Sequence, residues 1–144
     1  MIGLMTLTWA WAENALALAI GIILENVGEI RGHKEAPLQL KGRISCLRNA
    51  LKDIPALHGL HERGYAITVR FKELAPRRND LTHGAAWQLD QGGFQSMGFA
   101  VAAGQYAVKD HSFDITDAGL LIIEIQALAD DASLFMLSVR DAFA

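Results

Sequence analysis

Residues 1–30 read MIGLMTLTWAWAENALALAIGIILENVGEI, and how this stretch is understood decides the fold. It is apolar enough for a signal peptide or a membrane span. No basic residue precedes its apolar part, however, and no Ala-x-Ala site separates it from a mature start, as a secretory leader would require. Glu13 and Asn14 interrupt it, and the run Ala15–Leu24 falls short of the ~20 residues that cross a bilayer as a helix. A helix apolar on most of its faces is instead one buried in the middle of a bundle. The expectation is a core helix from near Thr6 to about Val27 in a cytoplasmic protein with no membrane partner.

The bulk properties agree with a single globular domain spanning 1–144. Half of the chain is apolar (51%) and 20% is charged, which is enough to build a core and argues against disorder. One cysteine, Cys46, cannot form an intramolecular disulfide, and its place in an apolar helical pattern makes it a small core residue rather than a nucleophile.

Downstream of GEIRGHKEAP, a polar connector, Pro37 suits the opening turn of a second helix. Leu40, Ile44, Leu47 and Leu51 then repeat at helical spacing as a core-facing stripe. Ile54 precedes Pro55, which pushes it out of helical dihedrals and ends that helix. A third helical region starts near Leu57, with Leu60, Ile67, Phe71 and Leu74 inward. It passes Pro76 as one kinked, nearly continuous helix reaching His83, with Gly84 as its left-handed stop. From Gly92 to Phe113 the period is lost. This segment is either a loop or a β-hairpin, FQSMGFAV against QYAVKD, turning at Ala103–Gly104. Asp114 or Thr116 caps a last helix with Asp117 in its first turn, and the apolar positions Leu120, Ile123, Leu128, Leu134 and Leu137 recur along it. The economical architecture is all-α, a four- to five-helix up-and-down bundle with an insertion near 92–113.

Charge is segregated. Between Arg31 and Arg78 there are eleven Lys/Arg and four acids, about +7; the remainder holds two basic and twelve acidic residues, about −10, summing to the net −3 of the whole chain. Such a footprint suits a polyanion partner, and it equally suits helices that simply expose basic faces.

The stretch RNDLTHG, Arg78 to Gly84, carries the candidate chemistry. Asn79 and His83 are four apart and share a helix face, so the amide can orient the imidazole. Arg78 offers planar, permanently charged donors suited to phosphate oxygens, and His83 is the side chain most easily poised for proton transfer near neutral pH. Spacing alone leaves two readings open, a solvated helix end and a phosphate-handling group. Arg78-Asn79-Asp80-Leu81-Thr82-His83 resembles the Arg-(four to six residues)-His motif of the HEPN superfamily, the higher eukaryote and prokaryote nucleotide-binding domains. There a polar residue often follows the arginine and a glycine the histidine. The layout is similar too, with an all-helical domain and the motif near the end of the third helical region. Pro76 and the Gly-rich insertion depart from that pattern.

The resemblance implies an endoribonuclease that uses no metal or other cofactor, acting as the toxin of a toxin–antitoxin or defence system. It implies a homodimer with its motifs facing each other across the interface, and an antitoxin protein as a further partner. In that chemistry a 2′-hydroxyl attacks the adjacent phosphate, His83 handles the proton, Arg78 stabilises the charged phosphorane, and Asn79 orients the histidine or the substrate. It implies equally a catalytically silent module that binds a nucleotide, RNA or a protein.

Other patterns are weaker. His58, His61 and Glu62 have a spacing that a metal could use, but their order matches no zinc-protease signature, and exposed helix-start residues explain them. His33 and His111 have no partner by spacing. Gly92, Gly93, Gly98 and Gly104 form no phosphate loop. Trp9, Trp11 and Trp87 read as core or dimer-interface residues rather than a base-stacking platform.

Overall fold

The computed structural model describes the backbone of residues 2–82, 85–88, 94–102, 105–113 and 115–144, and the side chains of 3–82 and 116–144. It is a helical bundle. The helices are α1 (Ile2–Val27), α2 (Leu40–Asp53), α3 (His61–Thr82) and α4 (Ile115–Ala142), with a short 3-10 helix, Pro55–Leu60, between α2 and α3. A three-stranded antiparallel sheet, β1 (Ala85–Gln88), β2 (Phe94–Ala102) and β3 (Gln105–Phe113) in that spatial order, is inserted between α3 and α4.

The first helix is the core element expected, although it starts earlier, at Ile2. Its 25 residues from Gly3 to Val27 are long and apolar enough to cross a bilayer by length and composition. In the bundle they lie along α4 and bury Met5, Trp9, Ala12, Leu16, Ala19, Ile20 and Ile23. Gly28, at φ +83°, stops the helix and donates its N–H to the Leu24 carbonyl at 2.7 Å. That left-handed conformation is one that glycine adopts without a Cβ penalty. In the connector, Arg31 makes a two-pronged ion pair with Asp53 at the end of α2, at 2.6 and 2.9 Å.

Pro37 does not open α2. The helix begins three residues later, and the Pro37 carbonyl accepts a hydrogen bond from Arg43 Nε at 2.8 Å. Ile44, Leu47 and Leu51 are buried as the spacing predicts, and so is Cys46, whose thiol is pushed up by burial. Ile54 is extended (φ −99°, ψ 112°) ahead of Pro55, as pre-proline sterics demand. α3 is one helix that continues through Pro76, with Ile67, Phe71, Leu74 and Leu81 buried. Its expected stop, Gly84, lies outside the described residues.

Contacting residues fall in number on one helix as they rise on its neighbour, so α2, α3 and α4 run up and down. Arg48 meets Thr68 on α3, while Arg63, Arg70 and Arg77 meet Ser138, Asp131 and Glu124 on α4. Gly64 of α3 is buried against both α2 and α4. A Cβ there would lie 2.5 Å from Leu51 Cδ1 and 2.9 Å from Phe135 Cζ.

Two sequence expectations need correction. On α4 the buried apolar residues are Ala118, Leu121, Ile125, Leu128, Ala129, Ala132, Phe135 and Val139, whereas Leu120, Ile123, Leu134 and Leu137 are exposed. The helix is apolar nearly all round, so its period could not separate the two faces; the alanines face inward because helices pack closest over small side chains. Thr116 is inside α4, not its cap, and Asp117 sits in the first turn as expected; Asp114 lies outside the described residues. The two strands pair as the pattern placed them, with Val101 opposite Tyr106 and Ala102 opposite Gln105; the expected turn, Ala103–Gly104, lies outside the described residues. β1, which contains Trp87, is a third strand that the sequence did not announce.

Candidate functional site

α3 carries two seven-residue series one position apart. Gly64, Phe71 and Arg78 follow one line, and Arg63, Arg70 and Arg77 the next. Seven residues are two turns less about 20°, so each series stays on one side of the helix.

The first series faces the core, and Arg78 is its last member. Trp9 of α1, fully buried, receives it. Phe71 meets the indole edge-on at 5.5 Å between centroids and 77° between planes, and the Arg78 guanidinium lies 5.2 Å from the same ring's centroid. The arginine is half-buried, and its Nε is shielded from solvent. Burial pushes its pKa down from the ordinary arginine value, while the charge of Glu13, one turn along α1 from Trp9, pulls it up. A guanidinium tolerates this setting because it is weakly hydrated and is attracted to the π-face of tryptophan.

Arg78 Nη1 donates to Asn79 Oδ1 at 2.6 Å, and Thr82 Oγ1 donates to the Arg78 carbonyl at 2.9 Å. Of the three motif residues, the structure thus brings Arg78 and Asn79 together directly. The amide oxygen of Asn79 serves the arginine, a contact the four-residue spacing to His83 did not suggest. His83 lies outside the described residues. Trp9 and Glu13 are the neighbours that sequence reasoning missed. The available signal was the inward series Gly64–Phe71, which continues to Arg78 and demands a partner across the core.

The second series faces α4 in a ladder. Arg63 donates to Ser138 Oγ at 3.1 Å, Arg70 to Asp131 at 2.5 Å and Arg77 to Glu124 at 2.6 Å. The α4 residues also recur every seven positions. A cleft of about 470 Å³ opens beside the ladder, lined by Arg70, Leu74, Arg77, Ile123 and Glu124 among others. The basic segment 31–78 therefore finds part of its counter-charge inside the chain. Arg70 and Arg77 are ion-paired with α4, and Arg31 with Asp53. Arg48 donates to the buried Thr68 hydroxyl at 2.8 Å and lies 4.3 Å over the Tyr65 ring. Lys41, Lys52 and Lys72 remain on the surface.

His58, His61 and Glu62 do not assemble a metal centre. No group of three or more His, Cys, Asp or Glu side chains able to hold a metal ion forms among the described residues. His61 instead stacks on Tyr65 with 11° between planes, and His33 is in the connector turn bridged to Ile30. His111 is on β3. No family model matches the chain, and no curated protein and no solved structure matches it.

Proposed function

We propose that the protein is an endoribonuclease of the HEPN kind that needs no metal, acting at Arg78, Asn79 and His83, and that it serves as the toxin of a toxin–antitoxin or defence system. The observation that supports this best is the clamped arginine. A guanidinium held between Trp9 and Asn79 at the end of α3 is oriented in advance, in surroundings drier than bulk water. A fixed charge in such surroundings stabilises a developing phosphorane more strongly than a mobile one in solvent. His83, five residues on in the sequence, takes the proton of the attacking 2′-hydroxyl as the bond from phosphorus to the 5′-oxygen breaks, and returns it to that leaving oxygen.

A second reading has its own observation. The same clamp makes Arg78 a packing residue, and a module that has kept the fold without the chemistry would look the same at this position. In that case the protein binds RNA, a nucleotide or a protein without turnover.

The test is cleavage of a panel of RNAs by purified protein in EDTA, comparing wild type with His83→Ala and Arg78→Lys. Cleavage by wild type that His83→Ala abolishes, and that Arg78→Lys lowers by at least about tenfold through loss of the planar fork, is the expected result. Equal cleavage by all three would remove the motif from the chemistry. RNA retention without turnover would establish the silent module.

A further inference from the structure

The α1 and α4 faces turned away from the core carry matching apolar seams. On α1, Leu4, Trp11 and Leu18 lie seven apart with Leu7 between. On α4, Leu120, Ala127 and Leu134 lie seven apart, with Ile123 and Leu137 each three residues on. Leu4, Leu7, Trp11 and Leu18 are 57–67% exposed, and Leu120, Ile123, Leu134 and Leu137 are 37–63% exposed. We infer that this face is the interface with a second copy of the same chain.

Three observations select that occupant. The first is pattern. A narrow stripe repeating every seven residues is the side-chain arrangement that packs knobs into holes against another helix, and a second copy brings two such helices. The second is extent. Eight large side chains about half exposed present apolar area on the order of 800 Å², the share each partner contributes to a standard interface. The third is polar satisfaction. Trp11 Nε1 already donates to Ser133 Oγ at 3.1 Å, and Ser133 Oγ donates to the Ala129 carbonyl at 2.8 Å. Covering the indole therefore strands no donor, the condition for a tryptophan to anchor an interface.

Charge argues against an anionic lipid surface. α1 has no Lys or Arg, and α4 has Arg140 alone against Asp117, Glu124, Asp130, Asp131 and Asp141, whereas a membrane-surface helix flanks its apolar face with basic residues. Each seam is broken once, by the amide of Asn14 on α1 and the carboxylate of Asp130 on α4, both exposed. Seating α1 of one protomer on α4 of the other lets Asn14 donate to Asp130 twice about the two-fold axis, and such a polar pair fixes register.

The consequence for the motif is geometric. Trp9 and Trp11 are two residues apart, about 200° around the helix, and Arg78 lies over Trp9. A dimer closed through this seam keeps each Arg78 on the side of α1 away from the partner. It would not form the two-motif site that the resemblance implies.

Sedimentation of the full chain from about 1 to about 100 μM tests the interface without any RNA, so its outcome is read separately from the ribonuclease proposal. Wild type should sediment as a dimer. Trp11→Ala and Leu134→Lys, on different helices and both exposed in the protomer, should each raise the dissociation constant at least about tenfold while circular dichroism retains the helical signal. Should one variant lose its fold, the other still reports. Leu38→Lys, at a residue 90% exposed but off the seam, should leave the dimer intact. A wild type that stays monomeric at the highest concentration overturns the inference. A dimer indifferent to both seam variants, or wild-type monomers that bind neutral phosphatidylcholine vesicles instead of each other, overturns it as well.

Discussion

Arg77 and Arg78 are neighbours on α3 and do opposite things. Arg77 closes an exposed ladder of charges to α4, and Arg78 ends a core series and lies on a buried tryptophan. A step of one residue turns the side chain by about 100°, from a half-solvated ion pair into the edge of the core. The energetics should differ accordingly. Exposed ion pairs cost little to lose, whereas Trp9 and Phe71 are fully buried.

The largest expected effect is on the core side. Trp9→Ala removes the ring that Phe71 and Arg78 share and should cost about 3–5 kcal/mol in denaturant melts. A loss below about 1 kcal/mol would show that the series is not held by that ring. Gly64→Ala, two turns before Phe71, should cost about 1–3 kcal/mol by overpacking, because Leu51 and Phe135 are themselves fully buried and cannot retreat.

The Arg78–Trp9 contact is sharpened by a double-mutant cycle, Arg78→Leu against Trp9→Phe, with an expected coupling of about 1 kcal/mol. Arg78→Leu is informative by itself. It prolongs the apolar series, so it should hold stability while abolishing any RNA cleavage. Loss of fold with it would make the arginine structural.

The smallest effect belongs to the ladder. Arg70→Ala and Arg77→Ala should each cost less than about 1 kcal/mol, with the difference from wild type shrinking as salt is raised. An effect as large as that of Trp9→Ala would break the distinction between the two series.

Much of the fold could be read from the chain because its local rules are strong. Leu40–Ile44–Leu47–Leu51 has a single apolar stripe with Lys41, Arg43 and Arg48 outside it, and only one face can be buried. Ile54 before Pro55 had to leave the helix. The alternation of FQSMGFAV and QYAVKD allowed a strand pair beside a loop, and residues 94–102 do pair with 105–113. α4 was legible as a helix and not as an oriented one. Leu120, Ile123, Leu134 and Leu137 are as apolar as Leu121, Ile125, Leu128 and Phe135, so composition could not rank the faces.

The candidate site divides in the same way. Residue type, spacing and the resemblance together singled out Arg78, Asn79 and His83 as a candidate set. That the amide of Asn79 holds Arg78, that Trp9 and Glu13 surround the guanidinium, and that its neighbour Arg77 pairs with Glu124 were decided by packing. The contacts with Trp9, Glu13 and Glu124 join residues 47 to 69 positions apart in the chain, and no local pattern encodes such a distance. What the sequence determined by itself was which segments are helical and that one of them stops at Ile54 before Pro55, since those depend on backbone sterics and on periods a few residues long. Which stripe faces inward, and which arginine is desolvated, was settled only when α1, α3 and α4 came together. Burial is a property of the assembled surfaces and not of any one helix.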